Sequence, residues 1–192
     1  MCSSWDELDE YLQLVSLVAY EVERIKKAHF QLINLVQMFN EHLDLINIAP
    51  AFFSEALDAL EYKVIVGTVR LYNKGSASLM KLLCKAENRR PLNSKLHKFV
   101  LERKKRLEGL DILINPLETA RDHYLAHLDQ RAFDGVDPEI NFWNSELNEN
   151  IVALLDFAKS TLSGIFTHCG KSLPPEFPLY CDLQKLIDKM KI

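Results

Sequence analysis

Apolar residues recur at three- and four-residue steps along most of this chain, and the strict alternation that marks a half-buried strand is absent. The first run holds Leu8, Leu12, Val15, Ala19, Val22, His29, Ile33 and Val36, with Leu14, Val18, Ile25, Leu32 and Phe39 beside them, which makes a broad buried face. Ser4-Trp5-Asp6-Glu7 ahead of it reads as a capping box, so a long helix is expected from Ser4 to about Ile46. Ala49-Pro50-Ala51 ends it, because the residue before a proline resists helical geometry. A second helix is expected from about Ser54 to Asn73, where Gly75-Ser76 breaks it, and a third from Ala77 to about Lys85. A fourth starts near Ser94 and buries Leu96, Phe99, Val100, Leu107 and Leu110. Asn115-Pro116 places a proline at the first position of the next helix, expected from Pro116 to Asp129, with Arg131 to Pro138 as loop. Asn144 or Ser145 opens a helix through Ile151, Leu154, Leu155, Phe157, Ala158, Leu162 and Phe166, stopped by Gly170. Asp182 caps a last short helix, Leu183 to Lys189. The pattern predicts an all-α antiparallel bundle with a long N-terminal helix and a short C-terminal one.

A chain of 192 residues fits one domain, residues 1–192, more comfortably than two. The net charge of −4 argues against holding long nucleic acid by bulk attraction. Its distribution changes that picture, because Lys85 to Arg106 carries nine basic residues against Glu87 and Glu102, a local charge of +7. Lys95, Lys98, Lys105 and Arg106 gather there on a face away from the apolar one, and are candidate RNA-binding residues if the face is more than solvated charge. No aromatic residues are interleaved for stacking on a single strand. Cys2, Cys84, Cys169 and Cys181 are scattered, which suggests neither a zinc knuckle nor a disulfide framework. Tyr11 to Tyr20, interrupted by Gln13 and Ser16, is too short to span a bilayer, so no membrane role and a cytoplasmic location are expected.

One stretch departs from helical packing, Arg121-Asp122-His123-Tyr124-Leu125-Ala126-His127-Leu128-Asp129. With Leu117 at zero on a helical wheel, Leu128 falls at roughly 20°, Arg121 at roughly 40°, Tyr124 at roughly 340° and His127 at roughly 280°. Arg121 therefore sits inside the apolar stripe and His127 at its edge. A guanidinium cannot shed its proton to escape burial, so it needs a carboxylate, a phosphate or an interface. The plain alternative is that Arg121 snorkels or pairs with an acid on a neighbouring helix. His123 and His127, four apart, have the spacing of two metal ligands, but no Glu follows His123 and no third ligand is in view, so no metal or other cofactor is expected.

Arg121-Asp122 followed by His127 resembles the motif of the HEPN superfamily, helical ribonucleases and nucleic-acid-linked modules. Ala126-His127-Leu128-Asp129 is similar to the ending of the AbiU-type abortive-infection branch, with His123 in place of that pattern's Lys. The resemblance implies a homodimer whose two motif helices frame a cleft, with Arg121 and His127 catalytic and Asp122, His123 and Tyr124 supporting. It implies metal-independent cleavage of RNA by a toxin of abortive infection or of a toxin–antitoxin pair, kept by a cognate antitoxin or a nucleotidyltransferase-type partner. A non-catalytic HEPN module binding RNA, a nucleotide or a protein is the alternative.

Overall fold

The computed structural model describes residues 3–73, 78–88, 94–134 and 145–174 together with residue 189, and the side chains among them except at 3–7, 45 and 123–134. The described elements are all helices: α1 (Ser3–Glu41), α2 (Leu43–Ile46), α3 (Pro50–Tyr72), α4 (Leu79–Glu87), α5 (Ser94–Glu108), α6 (Asp111–Asp134) and α7 (Ser145–His168). The expected all-α bundle with a long N-terminal helix is what forms. The short C-terminal helix expected at Leu183 to Lys189 lies outside the described residues, apart from a helical Lys189.

Several boundaries differ from the sequence pattern for local reasons. α1 stops at Glu41, although the ladder barely breaks, because the His42 N–H still reaches the Met38 carbonyl and the Ile46 N–H the His42 carbonyl. Pro50 ends one run and also begins the next, standing at the start of α3 where its missing N–H costs nothing. α4 begins at Leu79, because the Ser78 hydroxyl accepts from the Lys81 N–H as an N-cap. α7 runs as expected, and Gly170 beyond it takes φ +67°, the left-handed conformation that closes a helix.

The largest departure concerns α6. It begins at Asp111 rather than Pro116, because the turn at Gly109 and Leu110 is the true break and the Leu110 carbonyl already accepts from Leu113 and Ile114. Pro116 thus lies inside the helix, where it forfeits a bond to the carbonyl of Ile112. Ile112 is 77% exposed, so water can replace that bond. At the other end α6 continues to Asp134, through residues expected in a loop, since the first strong breaker is Gly135.

Touching pairs set the direction of each helix. Ile25 lies against Gly67, and Leu35 and Met38 cluster with Phe53, so α1 and α3 are antiparallel. His29 Nε2 is 2.7 Å from Asn148 Oδ1, and Ser16 and Tyr20 share a groove with Lys159 and Leu162, so α1 and α7 are antiparallel too. His29 is thereby a satisfied histidine at a helix contact. The Tyr72 hydroxyl donates to the Leu154 carbonyl, tying the end of α3 to the middle of α7. Phe99 packs on Gly164, where a Cβ would collide with its ring, and Arg103 lies over Phe157, so α5 and α7 are antiparallel.

α5 therefore ends at the height of Tyr72. From there α6, which packs on α3 more extensively than on any other helix, must run back along it. The main core, including Val15, Val18, Leu32, Ile65, Leu82, Leu117, Ile151, Leu154 and Leu162, fills the space between α1, α3, α4, α6 and α7. A second cluster of Leu35, Met38, Ile46 and Phe53 closes the end toward which α6 runs.

Candidate functional site

Leu117 is fully buried and Ala120 is 6% exposed, and they turn the inner face of α6 to the core. Arg121 falls in the same sector, as the wheel predicts, and its side chain is only 25% exposed. Among the described residues its partner is the next residue, not an acid on a neighbouring helix. Nε donates to Asp122 Oδ1 at 2.8 Å, and Nη2 lies 2.7 Å from the same oxygen. Asp122 is itself 63% exposed, so this contact is a surface ion pair worth about 0 to 1 kcal/mol. A phosphate, which can take a guanidinium on two oxygens at once, is a stronger partner than one exposed carboxylate oxygen.

His127 lies on the same unbroken helix, six residues on, which is about 9 Å along the axis and about 120° around it. A straight helix therefore does not aim Arg121 and His127 at one point. The side chains of His123, Tyr124 and His127 lie outside the described residues, and those three are placed by backbone alone.

The basic candidates form a separate surface. Lys95, Lys98, Lys105 and Arg106 are all exposed on α5, within an arc of roughly 100° that also holds Glu102. Arg106 approaches Glu102 at 3.8 Å across that arc. Lys104, on the other side of the helix, binds Glu87 of α4 at 2.6 Å and so belongs to the fold. Arg103 lies over the rings of both Phe99, at 5.1 Å, and Phe157, at 5.5 Å, an arrangement invisible in sequence because Phe157 arrives from α7.

Glu61 is the residue that sequence reasoning passed over. It is 6% exposed on α3, four residues after Leu57 and four before Ile65, and that position in an apolar run was the available signal. Burial, then the nearby Asp58, pushes its carboxyl up to about 7. Eleven residues separate it from Tyr72 and ten separate Arg121 from Asp111, so both stand roughly 15 Å below the top of the α3–α6 pair. Thr68, on the same side of α3, has a buried hydroxyl with no partner among the described residues.

The raised carboxyl has a consequence for stability. The folded chain holds this proton more tightly than the unfolded chain, so stability falls as pH rises from about 4.5 to about 7 and the deficit then stays constant. The expected loss is on the order of 3 kcal/mol. Melts of the wild type and of Glu61→Gln across that window should diverge, with the variant lacking this component. Parallel curves would show that Glu61 does not titrate there.

The apolar groove of about 310 Å³ between α1 and α7, lined by Ala19, Tyr20, Val22 and Leu162, contains none of the candidate residues. No helix among the described residues is long and apolar enough to cross a membrane. The HEPN family model described as AbiU2 matches residues 8–188 of this chain. Neither a curated protein nor a solved structure matches it.

Proposed function

Because the chain belongs to the HEPN AbiU2 family, we propose that it is a single-domain cytoplasmic endoribonuclease toxin of the abortive-infection or toxin–antitoxin kind. It cuts RNA without a metal, at a site composed of two copies of the chain. The observation that carries this reading is Arg121: a guanidinium in the inner sector of α6, three-quarters covered, whose ion pair among the described residues is one exposed neighbour. A cation kept there at a cost in desolvation is matched to an anion that arrives later.

In this mechanism Arg121 holds the non-bridging oxygens of the scissile phosphate and stabilises the charge that grows on them. His127, through its imidazole, takes the 2′-hydroxyl proton or gives one to the departing 5′-oxygen. The 2′-oxygen bonds to phosphorus, the P–O5′ bond breaks, and a 2′,3′-cyclic phosphate and a 5′-hydroxyl remain. The turn of about 120° between the two residues is what a second copy resolves, since a two-fold axis sets Arg121 of one chain against His127 of the other. Support for pairing comes from Leu43, Ile48 and Phe52, each more than half exposed at the end of the bundle toward which α6 runs. Asp122 then acts as the resting partner of Arg121, with His123 and Tyr124 lining the cleft. A cognate antitoxin or nucleotidyltransferase-type protein restrains the toxin.

The alternative, a non-catalytic module, draws on the same Arg121–Asp122 pair read as a permanent contact. Incubating the purified protein with RNA in excess EDTA decides between them. Cleavage should leave 2′,3′-cyclic ends, and an oligonucleotide with one deoxyribose should resist at that linkage alone. Intact RNA that nevertheless shifts in a gel would establish the binding module.

A further inference from the structure

Single-strand binders pair a positive groove with exposed aromatic rings on which bases stack. α5 has the charge and withholds the rings. Its cationic arc, Lys95, Lys98, Lys105 and Arg106 with Glu102 among them, contains no aromatic residue. The nearest ring, Phe99, is turned away, seated on the backbone of Gly164. Within the fold the guanidinium of Arg103 lies over its ring at 5.1 Å, and the ring of His168 packs against it, tilted, at 5.1 Å. Phe157, the other ring of the cluster, is covered by the same Arg103.

What α5 offers is a rigid row of charges. Lys98 and Lys105 are two turns apart, about 10 Å, and Lys95 to Arg106 spans about 16 Å. The C-terminal end of the helix is fixed by the α4–α5 ion pair of Glu87 with Lys104 and by the tight turn at Gly109 and Leu110 into α6, and its middle is fixed by the seat of Phe99 on Gly164. Such a row reads phosphates and not bases, which is how double-stranded RNA, with its side-chain-inaccessible major groove, is recognised.

We propose that α5 is a docking rail for base-paired RNA, gripped through its phosphates, so that the substrate class of this protein is duplex or folded RNA and not an unstructured strand. The inference rests on the reading of the protein as an RNA-directed enzyme and names what that enzyme holds. The rail leads into the motif helix, and Arg121 lies roughly 15 Å beyond the start of α6. A ligand engaging both must bridge that distance, which favours a stiff duplex over a flexible strand.

The test uses the full chain and 2′-O-methyl RNA, which cannot be cut by 2′-hydroxyl attack, so that binding is read apart from cleavage. By fluorescence anisotropy, a fully paired duplex should bind at least tenfold more tightly than either of its strands alone. The exposed pair Lys98→Gln and Lys105→Gln, made together, should weaken duplex binding at least fivefold and lower the slope of log K against log salt by about 2. Strands binding as well as the duplex, a double variant with unchanged affinity and slope, or tighter binding of the same sequence as duplex DNA would each overturn the proposal. A chain that cuts RNA yet prefers strands sinks this inference alone. One that grips the duplex and never cuts RNA sinks the nuclease reading alone.

Discussion

Arg121→Ala and His127→Ala should each lower RNA cleavage at least a hundredfold, with the helical content and melting behaviour of the wild type preserved. The magnitude follows from the roles proposed. Removing a group that stabilises developing negative charge costs about a hundred- to a thousandfold, and removing a general acid or base about a hundred- to ten-thousandfold. Folding should survive in the arginine variant because, among the described residues, the ion pair of the lost side chain is with an exposed carboxylate on the adjacent residue. Arg121→Lys is the informative companion. It keeps the charge and loses the planar fork, so it should recover little of the activity if the phosphate is gripped on two oxygens. If the sites are shared across a dimer, mixing the two inactive alanine variants should restore a fraction of the cleavage, since some mixed pairs carry one intact Arg121 and one intact His127 in the same cleft. Unchanged cleavage by both single variants would remove the mechanism altogether.

Leu117→Ala should destabilise the fold by about 2 to 5 kcal/mol, the range for emptying a leucine site that cannot collapse. Leu117 has no exposed surface and sits one turn before Arg121, within the core that α6 shares with the rest of the bundle. The variant therefore distinguishes a packing effect from a chemical one. Denaturant titration should show a lower midpoint with an unchanged slope, while cleavage per folded molecule falls far less than in Arg121→Ala. A loss below about 1 kcal/mol would mean that α6 is held elsewhere, and that the placement of its motif does not depend on this contact.

The helices and the sector of Arg121 were legible in the sequence because both depend on periodicity, which needs no knowledge of neighbours. Val15, Leu32, Leu154 and Leu162 were marked as core by their three- and four-residue spacing, and they are buried. Boundaries are less legible at prolines, because a proline can end, begin or lie within a helix. Pro50 both ends and starts a run, and Pro116 is carried inside α6 because the break had already occurred at Gly109 and Leu110. Two features of the site could not be read from the sequence in any form. The partner of Arg121 depends on a rotamer, and the sandwich of Phe99, Arg103 and Phe157 depends on α5 and α7 meeting in space. Glu61 falls between these cases: its spacing marked it, but only burial shows that its charge is in question.

α6 is unbroken from Asp111 to Asp134, so the offset between its arginine and histidine is dictated by the pitch of one rod. Loop remodelling, the usual way in which an enzyme drifts toward new targets, has no purchase on that offset. In the proposed mechanism, tilting one rod against another is the adjustment left to the site, which makes the chemistry conservative. α5 lies outside that constraint, and its surface lysines can be exchanged without disturbing the reacting groups. If α5 grips the RNA and α6 cuts it, as proposed, target choice and bond cleavage occupy separate helices, and the first can diversify while the second stands still.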